Sequence, residues 1–252
     1  WGRSVVFYKR QPRAAGFEPM REEDFAVGAP TDPYGFKPTD LVVARDGAIY
    51  ISDWCDGQRP KRGRARIYRV TARGHVHRPF VTGETPAQWD RQLQDPRLLA
   101  RIAAQSRLEG QVARDGTARA KLVSRIIKVL HKKSWNVHGR MHAVWILAHL
   151  GPGIRPGVMM PALINVARTD PDVRVRVQAI RAIADLADPV LTGDRLDARP
   201  DEKTMTSHLL GELGRKADPR IQREVIIATG RLRWQELPGW LADYAGEVDP
   251  VL

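Results

Sequence analysis

The stretch Gly35–Asp56, GFKPTDLVVARDGAIYISDWCD, decides how the first third of the chain is read. Leu41, Val42 and Val43 make one short apolar strand, and Ala48 to Ser52 make its return. Asp46-Gly47 between them is turn chemistry, because both residues accept positive φ at low cost. A third strand is expected over Ala65–Val70, after a basic loop from Gly57 to Arg64, and His75–Val81 is a candidate fourth. Short strands in succession, separated by Gly and Pro, predict one antiparallel sheet unit of the kind that builds a propeller blade.

The run Pro38-Thr39-Asp40-Leu41-Val42-Val43 is followed by Arg45-Asp46-Gly47-Ala48-Ile49-Tyr50-Ile51-Ser52-Asp53-Trp54, then Gly63 and Arg66-Ile67-Tyr68-Arg69-Val70. Together these resemble a late blade of the sorbosone/glucose dehydrogenase-like β-propellers. They are especially similar to the large membrane-bound dehydrogenase-like proteins of planctomycete-type bacteria. The resemblance covers residues 35–80. It implies a propeller followed by HEAT-like helical repeats, an extracytoplasmic location, and oxidation of a sugar or polyol by the full-length protein. A PQQ-type quinone with calcium would serve that chemistry, haem c would lie downstream, and no cofactor is expected within this stretch itself.

The remainder changes period. From Asp95 onward apolar residues recur near every 3.6 positions and no strand pattern remains. Arg140-Met141-His142-Ala143-Val144-Trp145-Ile146-Leu147-Ala148-His149-Leu150 superimposes on Arg176-Val177-Gln178-Ala179-Ile180-Arg181-Ala182-Ile183-Ala184-Asp185-Leu186 at a shift of about 36 residues. Amphipathic segments precede each copy, Leu122–Leu130 and Met159–Ala167. Asp170-Pro171-Asp172 supplies a cap and a proline at the helix entry. Weaker copies start at Asp95-Pro96-Arg97 and Asp218-Pro219-Arg220, and a Pro/Asp/Gly-rich insertion occupies residues 188–203. Helix pairs at this spacing are the pattern of HEAT or armadillo-type solenoids. The expected fold class is therefore α+β multidomain: the last blade or blades of an antiparallel β-propeller over residues 1–82, a linker over 83–94, and an all-α HEAT-like solenoid over 95–252. Ile126, Val129, Val144, Leu147, Ile180 and Ile183 are its expected core, and Phe17 and Phe25 are expected as buried anchors ahead of the sheet.

The chain opens on Trp1 and closes on Asp249-Pro250-Val251-Leu252, and it reads as a piece of a longer protein. It contains no apolar run long enough to span a bilayer. The net charge of +12 raises nucleic acid as a partner class, but the arginines are dispersed along the chain, so a protein partner on the helical repeats is expected instead. Cys55 is the single cysteine and forms no internal disulfide.

Asp53 and Trp54 are the candidate cofactor-binding pair. By resemblance, the Asp at the end of this strand caps the turn or faces the axial region of active propellers. Against that stands a structural role, with Asp53 accepting backbone amides and Trp54 wedged between blades. His138 and His142 are four apart, as a two-histidine metal site requires, but no Glu or Cys accompanies them and a surface pair is expected. No GxGxxG, Walker, GxSxG or CxxCH motif is present, and no catalytic or metal-binding residue is assigned. Three functions follow as expectations: a non-catalytic part of a sugar dehydrogenase-like protein whose repeats dock a partner, a purely binding propeller–HEAT protein, or a basic scaffold for nucleic acid.

Overall fold

A computed structural model describes residues 3–32, 35–54, 65–74, 78–151, 156–188, 191, 205–215, 217–233 and 236–243. The chain forms two units, one of Trp1–Arg13 and Phe17–Val81, the other of Ala14–Gly16 and Thr82–Leu252.

In the first unit, β1 (Ser4–Arg13) pairs with β2 (Gly16–Val27) in a two-stranded ribbon. Cross-strand contacts hold its register, with Tyr8 Oη donating to Glu22 at 2.7 Å and Arg13 pairing with Glu18 at 2.8 Å. Pro12 and Pro19 are tolerated here because each strand of a two-stranded ribbon is an edge. The expected anchors Phe17 and Phe25 are instead 61% and 43% exposed.

A separate three-stranded sheet is built from β3 (Pro38–Val43), β4 (Ile49–Asp53) and β5 (Arg66–Val70) in sequential antiparallel order. Leu41, Ile51 and Tyr68 stand side by side across it, as do Val43, Ile49 and Val70. The connection between β3 and β4 is longer than the two-residue turn expected. Ala44 and Ala48 close it, Gly47 N–H returns to the Ala44 carbonyl at 2.9 Å, and Gly47 takes φ +84° while Asp46 does not turn left-handed. This is a turn finished by a glycine bulge.

The propeller reading is corrected by this topology. A blade is a four-stranded sheet stacked against its neighbours. Among the described residues there are only a two-stranded and a three-stranded sheet, with no closed propeller arrangement. Arg78–Val81, within the expected fourth strand, are not strand, while residues 75–77 and the basic loop at 57–64 lie outside the described residues. Alternation and turn chemistry specify a meander locally, and they do not specify what the meander packs against.

The second unit is helical. Its elements are α1 (Pro86–Gln92), α2 (Leu98–Val112), α3 (Gly116–Lys132), α4 (Val137–Leu150), α5 (Pro156–Thr169), α6 (Val173–Ala187), α7 (Met205–Gly214), α8 (Pro219–Arg231) and α9 (Leu237–Ala242). Consecutive helices pack as pairs, α1 with α2, α3 with α4, α5 with α6 and α7 with α8, and α2, α4, α6 and α8 lie side by side in that order. The stretch expected as linker is itself helix. Thr85 and Gln88 form a capping box, Pro86 starts the helix, and Trp89 and Leu93 enter the helical core.

Ile126, Val144, Leu147, Ile180 and Ile183 are fully buried in one continuous core, and Val129 is half-buried. Gly151 ends α4 with an ordinary right-handed φ of −57°. Its reason is space: a Cβ there would run into the side chains of Leu186 and Met159. Most of the insertion at 188–203 lies outside the described residues.

One polar interaction runs through this core. Arg140, in the first turns of α4, donates Nε to Asp170 Oδ2 at 2.8 Å and Nη2 to Asp170 Oδ1 at 3.0 Å. Its third nitrogen, Nη1, donates to the Trp135 carbonyl at 2.7 Å. Asp170 precedes α6 and also accepts the Asp172 amide. Both side chains are almost wholly buried. Truncating one partner strands the other charge in the core, so Arg140→Ala or Asp170→Ala is expected to cost about 3–5 kcal/mol. Replacing both with Met and Leu is expected to cost markedly less. Urea unfolding of the three variants measures this, and equal losses for single and double replacement would contradict it.

Candidate functional site

Asp53 ends β4 and is 3% exposed. Its Oδ1 accepts the Lys37 amide at 2.8 Å, its Oδ2 accepts Tyr68 Oη at 3.3 Å, and Arg66 Nε lies 3.3 Å from the same oxygen. Arg66 continues to Asp32 at 2.8 Å and to the Gly35 carbonyl at 3.1 Å. Asp53 thus ties the strand end to the chain entering the sheet. A cation placed on it would have to displace a guanidinium. Trp54 is 61% exposed. Cys55 and Asp56 lie outside the described residues. Among the described residues no three His, Cys, Asp or Glu side chains gather as a metal site.

The richer arrangement is on the helical unit, and it follows from how the helices begin. Asn136, Asp172 and Asp218 cap α4, α6 and α8, each with its side-chain oxygen on a backbone amide of the first turn. Two residues after each acidic cap comes an arginine that folds back onto the cap. Arg174 grips Asp172 at 3.0 and 2.7 Å, and Arg220 grips Asp218 at 3.0 and 2.8 Å. Asp95 and Arg97 repeat the device before α2. In all three the arginine hydrogen bond is the main cause holding the carboxylate below its usual pKa.

Counting from the caps puts the three helices in a common register. Two residues on stand His138, Arg174 and Arg220; six on, His142, Gln178 and Glu224; nine on, Trp145, Arg181 and Ile227; thirteen on, His149, Asp185 and Arg231. These positions lie on one side of each helix. They are cross-linked from helix to helix. Trp145 Nε1 donates to Gln178 Oε1 at 2.9 Å, Arg181 makes a bidentate pair with Glu224 at 2.9 and 2.8 Å, and Arg231 bridges Asp185 at 2.7 Å and Asp188 at 3.1 Å. Trp145 is half-buried, while Arg181 and Ile227 are exposed. Sequence alignment of the two clear copies contained this register, but without the caps it did not show which positions meet.

His142 is where the surface-pair reading fails. It is 1% exposed, and its reason is α2. Its Nδ1 lies 2.7 Å from Gln105 Oε1, and its Nε2 accepts from Arg101 Nε at 3.3 Å. Those partners fix a neutral imidazole with its proton on Nδ1. Gln105 Nε2 continues to Glu109 Oε1 at 2.8 Å, and exposed His149 lies 3.0 Å from Glu109. The Trp145 ring meets His142 edge-on at 4.6 Å. Burial, then the neighbouring Arg101 and His138, push the His142 pKa down from 6.5 to about 4. His138 is also lowered, chiefly by burial.

The folded state therefore binds fewer protons at His142 than the unfolded state between about pH 6.5 and 4. Stability is complete above that window and falls as the pH drops through it, by up to about 1.4 kcal/mol per pH unit. His142→Gln is expected to flatten this part of the profile. Urea midpoints of the parent and variant at pH 7, 5.5 and 4.5 check it, and parallel curves would refute the assignment. No family model, curated protein or solved structure matches this chain in comparison, so the surface is interpreted from its own chemistry.

Proposed function

We propose that the helical unit is a protein-docking scaffold whose recognition strip runs across α4, α6 and α8. The observation that carries this is the row nine residues past the caps. It sets Trp145, Arg181 and Ile227 on adjacent helices, with Trp145 held by Gln178 and Arg181 by Glu224 of the row six past the caps. Trp and Arg are the side chains that most often dominate binding energy at interfaces. Holding them in place before a partner arrives lowers the ordering cost of association.

The strip suits a protein segment that seats an apolar side chain against Trp145 and Ile227 and offers an uncharged polar group near the Arg181–Glu224 pair. Nucleic acid is the poorer fit to this face, because Arg174, Arg181, Arg220 and Arg231 already hold carboxylates. Oxidation of a sugar or polyol rests on the resemblance of the strand region alone and has no residue assigned to it.

The test is selection of a random-peptide phage library on the immobilised full chain, followed by titration of the enriched peptides. Trp145→Ala is expected to weaken them about 30-fold, equivalent to about 2 kcal/mol. Ile227→Asp, at an exposed position, is expected to weaken them at least tenfold without loss of folding. Enriched peptides that bind both variants as well as the parent would remove this strip as the docking site.

A further inference from the structure

The chain carries an excess of positive charge that the strip does not account for, since its arginines are neutralised in place. It collects on α3. From Gly116 to Lys132 this helix has five Lys and Arg residues and no acidic one. Lys121, Arg125, Lys128 and Lys132 follow at intervals of four, three and four, which places them within about 60° of arc on one side and along about 16 Å. The opposite side is apolar and consumed by the core, with Leu122, Val123, Ile126 and Leu130 buried.

Lys121, Lys128 and Lys132 are exposed. Arg125 is partly covered and pairs with Asp90. An open groove of about 470 Å³ lies along this side, lined by Thr117, Ala120, Lys121, Ser124, Arg125 and Lys128. It therefore offers lysine ammonium groups and two hydroxyls, with Asp90 already committed to Arg125.

We propose that this face of α3 binds the phosphate backbone of double-stranded nucleic acid without reading sequence. Three features select that occupant. The cations form a line rather than a closed pocket, which suits a repeating array of phosphates. No aromatic side chain lines the groove, so the stacking that single strands require is missing. The apolar side of the helix is already buried, leaving nothing to insert into a lipid surface as an interfacial helix does. This surface lies on a different helix from the docking strip and does not depend on it.

Fluorescence anisotropy with a labelled 20-base-pair DNA duplex and the full chain tests the proposal. Neutralising about three to four phosphates predicts a slope of log K against log salt of about −3. Lys121→Glu with Lys128→Glu is expected to weaken binding at least tenfold at 50 mM salt. Arg10→Glu with Arg21→Glu, the same charge change on the β1–β2 ribbon, is expected to change it less than twofold. Circular dichroism confirms that each variant is folded, and Lys121→Ala with Lys128→Ala replaces the reversal pair if that one is not. Absence of duplex binding at 50 mM salt would overturn the proposal. So would equal losses in the two reversal pairs, or binding to phosphatidylserine vesicles but not to duplex.

Discussion

The Arg140–Asp170 pair is the constraint on which the helical array depends. A guanidinium buried in an apolar core must spend its donors on fixed acceptors. Arg140 does so by gripping the entry to its own helix at Trp135 and the entry to the next one at Asp170. The pair recovers little net stability once its desolvation is counted, so its contribution is geometric. It fixes the position of the α6 entry relative to α4. Arg176 occupies the same register position in α6, donates to the Ala167 carbonyl at 2.8 Å, and helps lower the pKa of Asp218 at the next entry. Successive helices are thus indexed at their starts, while the apolar core holds their lengths together.

Indexing at the starts is what aligns the exposed side. Because α4, α6 and α8 begin in the same way, side chains at equal distances from their caps come abreast. Bridges such as Arg181–Glu224 and Trp145–Gln178 then form between helices rather than within one. The alignment of this surface is a consequence of the capping chemistry at the helix starts. A pair of interlocked rows also explains why Glu224 is only 2% exposed yet sits on the strip: Arg181 covers it.

How much of this was legible depends on the distance over which the deciding contact acts. The 36-residue repeat could be read because caps, apolar spacing and Arg140 against Arg176 are all local marks. The helix starts at Asp172 and Asp218 were legible for the same reason, whereas the stretch holding the Thr85–Gln88 capping box was read as linker. The Asp46-Gly47 turn was placed correctly, but its three-residue form depends on how Ala44 and Ala48 pair. The fate of the sheets was not legible. Leu41, Val42 and Val43 have the composition of a buried strand and yet are 42–59% exposed, because burial requires a partner face and alternation does not name one. His142 was hidden for a similar reason. It occupies the polar position that Gln178 takes in the next copy, and its burial comes from Arg101 and Gln105, 41 and 37 residues away in the chain.

The same separation between local and non-local information governs the charge. A formal excess of +12 counts every cation alike, but Arg and Lys are used differently here. Arginine's planar fork matches a carboxylate in two bonds, and Arg97, Arg140, Arg174, Arg181 and Arg220 are each matched that way. These residues contribute little field beyond their own partners. Lysine's ammonium is a hydrated point charge that favours exposed positions, and the lysines of α3 are exposed on a helix without acids. The arginines paired in this way add little to the external potential, whereas the lysines that helical periodicity gathers on α3 contribute to it in full. A long-range partner responds to the second group more than to the first.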